Sequence, residues 1–225
     1  MISKFSQPVF VLGLPRSGTS LIAAALHGCG AFVGETVPGG GPENPLGFFE
    51  NTYIREKVNK QILDKIGADP LGVSALPALK DLPKVKGLAE TLRDLLLYQG
   101  YKDGDRWLFK DAKLTLLWPI YLSTFPDARW VIVRRRDEDI ITSCLKTGFM
   151  RQHSDDPAFW QRWIDDYKRR LERLKQESTL VYEIWPHNLM DGQFSDLETL
   201  VGKLGLDWNE SEVSSLINPA FWHAA

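Results

Sequence analysis

A glycine-rich segment near the amino end of the chain has the residue types of a phosphate-binding loop. Residues 13–20 read GLPRSGTS; they follow a short apolar run at 9–12 and open a helical pattern. Backbone N–H groups in such a turn, together with the helix N-terminus, form a cavity for a phosphate group. The glycine spacing is that of G-x-x-x-x-G-K-S/T, but Thr19 stands at the lysine position. Because Arg16 is the only cation of the loop, the segment predicts a site for one terminal phosphate and an adjacent anionic group, not a triphosphate clamp.

A second group of cations follows another apolar run, at 130–133. Arg135 would leave the carboxyl end of a parallel strand, where open α/β sheets place their ligands. A guanidinium pairs with two phosphate oxygens, and Ser143, two turns into the following helix, can add a hydroxyl bond. The alternative is that residues 134–136 are only a solvated charge run. Asp137 and Asp139 are expected to cap the helix and pair with arginine rather than to do chemistry.

The elements that must position these residues alternate along the chain. Apolar runs predict strands at 9–12, 107–109, 130–133 and 179–182. Helical periodicity predicts helices at 19–26, from 51 to about 66, and at 84–98, 114–125, 138–146, 160–174, 195–204 and 209–217. Pro119 is expected to bend or divide the helix at 114–125. Short strands alternating with helices predict an α/β fold, one domain over residues 1–225 with a central parallel sheet flanked by helices.

Composition excludes several classes of protein. The 225 residues carry 27 Lys+Arg and 29 Asp+Glu, a net charge of −2, which argues against a general nucleic-acid binder. Cys29 and Cys144 are too few for a disulfide scaffold, so a reducing compartment is favoured. No apolar run reaches the roughly 20 residues of a membrane span, and MISKFSQPVF lacks the features of a signal peptide. A soluble, cytoplasmic protein is therefore expected.

These residues resemble one known family. PRSGTS after an apolar strand resembles the 5′-phosphosulfate loop of sulfotransferases that use 3′-phosphoadenylyl sulfate (PAPS), and VIVRRRDEDIITSC resembles the family's 3′-phosphate motif, an arginine followed eight residues later by serine. Segments beginning WLFKDAK, LVYEIWPHNL and NPLGFFEN are similar to segments of bacterial members, so the resemblance runs from about residue 8 to 210. It implies a fold of the P-loop-containing nucleotide-binding type. It also implies that PAPS is the co-substrate, bound by Arg16, Ser17, Gly18, Thr19, Ser20, Arg135, Ser143 and Tyr182.

Sulfuryl transfer needs a cation at the bridging oxygen of the leaving phosphate. Arg16 is one candidate, and Lys110 at the end of the second predicted strand is the other. The transferred group carries less charge than a phosphoryl group, so a metal is less necessary, and no Cys/His spacing in the sequence suggests a metal site. We expect no metal.

A base must accept the proton of the acceptor. Cytosolic members of the family have a histidine two residues after the strand lysine, where this chain has Ala112. Other branches use a carboxylate from the segment after the first helix. Here the candidates are Glu50, Glu35 and Glu43, with Glu50 placed first because the apolar residues 47–49 could raise its pKa. Asp111 is a further option, or only the partner of Lys110.

The function implied is transfer of a sulfuryl group from PAPS to a hydroxyl, or less readily an amine, of a small-molecule or glycan acceptor, with release of adenosine 3′,5′-bisphosphate. Residues 34–47 and 150–160 are expected to line the acceptor site. For adenine, Tyr182 matches a family tyrosine near the base, while Trp160 either stacks on it or packs in the core. A P-loop small-molecule kinase and a non-catalytic nucleotide-binding protein of the same fold remain as alternatives.

Overall fold

A four-stranded parallel sheet forms the centre of the computed structural model, which describes residue 5 and residues 7–39 and 47–217. The strands are β1 (Val9–Gly13), β2 (Leu108–Lys110), β3 (Arg129–Val133) and β4 (Val181–Ile184), in the spatial order β2-β1-β3-β4. Every neighbouring pair is parallel. The predicted α/β fold is thereby confirmed, and the carboxyl ends of β1, β2 and β3 meet at one edge of the sheet.

The helices cover both faces of this sheet. In the described part of the chain they are α1 (Thr19–Gly28), α2 (Thr52–Ile54), α3 (Lys60–Lys65), α4 (Leu88–Tyr98), α5 (Leu114–Thr124), α6 (Asp137–Lys146), α7 (Gly148–Arg151), α8 (Pro157–Glu177), α9 (His187–Met190), α10 (Ser195–Leu204) and α11 (Glu210–Leu216). A π-helical turn, Arg55–Asn59, joins α2 to α3, and a short 3₁₀ helix spans Leu79–Asp81. Among the residues that the structure describes, no helix is both long and apolar enough to span a membrane.

Two apolar clusters hold the sheet between these helices. β1 is buried along its whole length, with Phe10 and Leu12 in the cluster beneath α4, α5 and α8, and Val9 and Val11 in the cluster beneath α1, α10 and α11. A strand covered on both faces needs apolar residues at every position, which explains its uninterrupted apolar sequence.

The aromatic residues of α8 belong to the first cluster. Trp160 has no exposed surface and donates its indole N–H to the Ser154 carbonyl at 3.0 Å. Stacking of Trp160 on adenine is therefore wrong, and the helical stripe that includes it is a core stripe. Cys29 and Cys144 are both buried and unbridged.

Several elements differ from the sequence prediction, three of them for clear physical or positional reasons. Helix α5 runs through Pro119 without division, because the proline removes a single helical bond while most of the helix is buried around it. Strand β4 lies two residues later than predicted. Helix α4 begins only at Leu88, since Gly87 before it takes the left-handed conformation, with φ 71°.

The π-helical turn explains a periodicity visible in the sequence. Ile54, Val58 and Ile62 recur every four residues and are all buried. Four residues of an α-helix advance about 400°, so a strict four-residue repeat drifts by about 40° at each step. The wider turn at 55–59 takes up part of that drift and keeps the apolar stripe on the core.

Candidate active site

The loop after β1 is tightly folded around Gly13. A Cβ at this position would lie 2.6 Å from the Val133 carbonyl oxygen and 3.0 Å from the Ser17 hydroxyl oxygen, so only glycine fits. Gly18 caps α1 in the left-handed conformation, with φ 93°. Arg16 also has a positive φ, 71°. Such a conformation strains a non-glycine residue, and strain of this kind clusters at functional sites.

Ser17 has an unsatisfied hydroxyl inside this loop. The residue has no exposed surface, and its Oγ has no hydrogen-bond partner in the described structure. A buried polar atom without a partner costs free energy. The loop residues therefore fit an anion whose oxygen would accept this hydrogen bond.

Arg16, Arg135 and Ser143 come together beside the loop. The Arg16 Nε donates to the Ser143 hydroxyl at 2.9 Å, and the Arg135 guanidinium donates to the Arg16 carbonyl at 2.8 Å. Burial lowers the pKa of the Arg135 guanidinium; Asp139 opposes this, and the charges of Arg16 and Arg136 add to it. The two predicted motifs thus share one cationic corner, and the Arg16 side chain lies against the second motif rather than against Lys110.

The two neighbours of Arg135 have other partners. Arg134 pairs with Glu183 and Glu172, so it joins β4 to α8. Arg136 is largely exposed and pairs with Asp139 at 2.9 Å, as the sequence suggested for that aspartate. Among the contacts described, only Arg135 of these three arginines reaches the phosphate-type loop, residues 13–18.

Asp137, at the start of α6, also has a partner. It pairs with Lys168 of α8 and not with an arginine.

Lys110 lies at the carboxyl end of β2 with its ammonium group buried. Its Nζ donates to Glu50 Oε1 at 2.9 Å, to the Phe48 carbonyl at 3.0 Å and to the Ser20 hydroxyl at 3.2 Å. Ser20 belongs to the first turn of α1. These bonds join the phosphate-type loop to the segment that carries Glu50, so Lys110 is in place to act at the boundary between the two.

Glu50 is surrounded by cations. Besides Lys110, its carboxylate is 2.8 Å from Arg55 Nε and 3.9 Å from Lys113 Nζ. Burial by itself would raise the pKa of Glu50, but the charges of Lys110, Lys113 and Arg55 and the hydrogen bond from Lys110 outweigh burial and lower the pKa to about 2. The expectation that an apolar setting raises this pKa is therefore wrong, because three cations from other segments enter the setting.

Asp111 pairs with Lys113 and not with Lys110. Its Oδ1 lies 2.8 Å from Lys113 Nζ, and its Oδ2 accepts from the Asn59 amide at 2.8 Å. The Tyr121 hydroxyl donates to Asn59 Oδ1 at 2.5 Å. Asp111, Asn59 and Tyr121 have no exposed surface. The possibility that Asp111 is the partner of Lys110 is therefore wrong.

Three residues of this network were missed by sequence reasoning: Lys113, Arg55 and Asn59. Lys113 stands three positions after Lys110 in FKDAK, so two lysines bracket Asp111, which was a usable signal. Arg55 and Asn59 are four residues apart and frame the π-helical turn. Nothing local in the sequence indicates that this turn faces the site.

Glu35 lies apart from this network. It is exposed, and its backbone is held by the Gln99 side chain at 2.7 Å and by a bond to Thr52 at 2.9 Å. In the described structure its carboxylate has no hydrogen bond or ion pair. Glu43 lies outside the described residues. No three His, Cys, Asp or Glu side chains within residues 5, 7–39 and 47–217 are grouped as metal ligands would be.

Tyr182 lies in the middle of β4 and packs on the second apolar cluster, with the Lys203 ammonium 5.9 Å from its ring centroid. The sheet edge itself has a different aromatic residue. Trp185 follows β4 directly, is 42% exposed and contacts the His187 ring. Sequence reasoning did not single out Trp185, although it is the residue in VYEIW nearest the carboxyl end of the strand.

Known proteins share this arrangement of strands and helices. A family model described as "Sulfotransferase family" matches residues 8–210. The chain is similar to the sulfotransferase domain of the Synechococcus PCC 7002 olefin synthase, at 16% identity and a TM-score of 0.61, over 97% of this chain and 83% of that one. It is also similar to a sulfotransferase domain from the curacin biosynthetic pathway, at 16% identity and a TM-score of 0.62, over 94% of this chain and 78% of that one. A comparison with curated protein sequences gives no significant match.

Proposed function

The chain belongs to the sulfotransferase family, and on that premise we propose that it transfers a sulfuryl group from PAPS to a hydroxyl group of a small-molecule or glycan acceptor, or less readily to an amine. The other product is adenosine 3′,5′-bisphosphate. The observation that carries the proposal is the cationic edge of the sheet, where the loop with the unsatisfied Ser17 hydroxyl lies between Arg135 and Lys110.

The donor would be held by groups from two strand ends. The loop residues 16–20 would bind the 5′-phosphosulfate end, with Ser17 and Ser20 supplying hydroxyl groups. Arg135 and Ser143 would bind the 3′-phosphate. Arg16 has its backbone in the first group and its side chain on the second, so it is suited to either anion. Tyr182 remains our candidate for the adenine side; exposed Trp185, three residues later, lies at the end of the same strand.

The residues at this edge of the sheet can stabilise the charge and accept the proton that the transfer step produces. The acceptor oxygen forms a bond to sulfur while the bond from sulfur to the bridging oxygen breaks, and that electron pair stays on the leaving phosphate. Lys110 stabilises the charge that develops on the leaving oxygen, which is the kind of electrostatic help that contributes most to such reactions. Glu50, which its low pKa keeps ionised at neutral pH, takes the proton of the acceptor.

Lys110 and Glu50 form a direct, buried ion pair, with Lys110 Nζ 2.9 Å from Glu50 Oε1. A carboxylate with a low pKa is a weak proton acceptor, because its ionised form is already stabilised. As Lys110 turns toward the leaving phosphate, Glu50 loses its closest buried cation and becomes more basic. Proton uptake by Glu50 is thereby tied to departure of the leaving group.

The test compares ligands and metal dependence. Adenosine 3′,5′-bisphosphate should raise the melting temperature more than ATP with magnesium does, since binding at 100 times Kd adds about 2.7 kcal/mol of stability. Transfer from PAPS should continue in excess EDTA. Selective stabilisation by ATP, with activity lost on chelation and restored by magnesium, would favour a kinase. Bisphosphate binding without transfer to any of a panel of acceptors would favour a non-catalytic nucleotide-binding protein.

Arg135→Ala is expected to remove most of the preference for a 3′-phosphorylated nucleotide. A charge-assisted hydrogen bond contributes roughly 1.5–3 kcal/mol, which corresponds to a loss of about 10- to 150-fold in affinity. Calorimetry with adenosine 3′,5′-bisphosphate and with adenosine 5′-phosphate measures the preference. Arg136→Ala is the matched control, because Arg136 is exposed and pairs only locally. An unchanged preference in Arg135→Ala would remove Arg135 from the site.

A further inference from the structure

We propose that Asp111 is a positioning residue that holds Lys113 away from Glu50 and so keeps Glu50 basic enough to take the proton of the acceptor. The inference rests on the proposed sulfuryl transfer and adds a role that the transfer step itself does not require. It depends on how one buried ammonium group is shared by two carboxylates.

Lys113 lies between those two carboxylates but closer to one of them. Its Nζ is 2.8 Å from Asp111 Oδ1 and 3.9 Å from Glu50 Oε2. The first distance is that of a direct ion pair, and the second is too long for a hydrogen bond. With only 8% of the side chain exposed, water cannot readily replace either partner. Lys113 would therefore move onto Glu50 if Asp111 lost its charge.

Asp111 itself is fixed from three sides. Its Oδ1 accepts the backbone N–H of Lys113 at 2.9 Å, and its Oδ2 accepts the Asn59 amide. Its own N–H donates to the Val11 carbonyl of β1 at 3.2 Å. Asn59 is held in turn by the Tyr121 hydroxyl of α5. Because these hydrogen bonds fix the Asp111 carboxylate, it can hold Lys113 in place without shifting itself.

The charged groups that face Glu50 come from three segments. Lys110 comes from β2, Lys113 from the turn after β2, and Arg55 from the π-helical turn, where it also pairs with Glu56. Lys60 pairs with Glu56 on the outer side.

The core of the network contains three cations and two carboxylates: Lys110, Lys113 and Arg55, with Glu50 and Asp111. When Lys110 turns to the leaving group, Arg55 stays on Glu50. Whether Lys113 also moves onto Glu50 then decides how basic Glu50 becomes.

Among the residues that the structure describes, two buried tyrosines are further titratable groups affected by Asp111. Tyr121 and Tyr167 have pKa values raised by burial and further by the Asp111 charge. Both stay neutral across the working pH range, so they do not titrate in competition with Glu50. Burial would lower the pKa of Lys113, but Asp111 and Glu50 raise it, so Lys113 stays charged over the same range.

The experiment uses Asp111→Asn, which preserves shape and removes the charge. Lys113 should then pair with Glu50 and lower its basicity. We expect kcat to fall roughly tenfold with little change in the KM for PAPS. The acid limb of the kcat profile, which reports the base in the substrate complex, should move to lower pH by about one unit. A purely structural role would lower the melting temperature without moving the acid limb.

The double variant Asp111→Asn/Lys113→Gln provides the rescue. It removes one positive and one negative charge together, so the net charge around Glu50 stays the same as in the wild type. We expect kcat and the acid limb to return toward the wild-type values. A single variant with a wild-type acid limb, or a double variant no more active than the single one, would overturn the proposal.

Two other outcomes can be told apart from a failure of this inference. One is a variant that does not fold, and the other is a wild-type protein that transfers nothing from PAPS. If Asp111→Asn does not fold, Lys113→Gln alone should move the acid limb to higher pH, because one cation near Glu50 is gone; an unmoved limb would again overturn the proposal. If the wild-type enzyme transfers nothing from PAPS, the proposed function fails and the inference falls with it. Transfer without this pattern of shifts refutes the inference alone.

Discussion

Glu50→Gln is expected to lower kcat by about 10²–10⁴, the range for loss of a general base. The change keeps the side-chain volume and removes only the ability to accept a proton. Affinity for adenosine 3′,5′-bisphosphate should stay close to that of the wild type, because Glu50 contacts Lys110 and Arg55 rather than the loop at 13–18. Steady-state kinetics with PAPS and calorimetry with the bisphosphate separate the two effects.

Two other carboxylates serve as controls for this variant. Glu35→Gln should be mild, since Glu35 is exposed and its carboxylate makes no polar contact in the described structure. Glu43→Gln should also be mild. Near-normal turnover of Glu50→Gln beside an inactive Glu35→Gln would make Glu35 the base. If all three variants remain active, the acceptor itself or Asp111 takes the proton.

Lys110→Met should lower kcat by about 10²–10³, the effect of removing one group that stabilises the developing charge. Methionine fills a similar volume but leaves the bridging oxygen without its cation. The loss should be smaller for a donor analogue with a less basic leaving group, since such a group needs less stabilisation. Comparing the two donors is therefore the decisive measurement.

Lys80→Met is the matched control, because Lys80 is exposed and remote from the sheet edge in sequence. It should leave kcat unchanged. If Lys110→Met slows both donors equally, Lys110 acts by holding Glu50 and Phe48 in place rather than at the leaving group.

The parts of the site that could be read from the sequence are those made by local motifs. The loop at 13–18, Arg135 and Ser143 each come directly after a strand, in the turn or helix next to it. Parallel strands bring such turns to one edge whatever the rest of the chain does. The same rule placed Lys110 at the edge, since it ends β2.

The electrostatic character of Glu50 could not be read in the same way. It depends on Arg55 from the π-helical turn and on Lys113, which reach Glu50 only through tertiary contacts. The residues next to Glu50 in sequence are apolar, so local reasoning pointed to a raised pKa. A few charges within about 4 Å outweigh burial when they are themselves poorly solvated.

Because the π-helical turn sets the positions of Arg55 and Asn59, the number of residues in this segment matters as much as their identity. Arg55 contacts one carboxylate of the network, and Asn59 contacts the other. A π-helical turn holds one residue more than an α-helical turn, so loss of a single codon within 55–59 would restore ordinary α-helical winding with the remainder of the helix nearly in place. Substitution of exposed Lys57 should leave both contacts intact. Insertion of a further residue in the same stretch would instead rotate the remainder of the helix by about 100°, and it would be removed by selection even where it spares every contacting side chain.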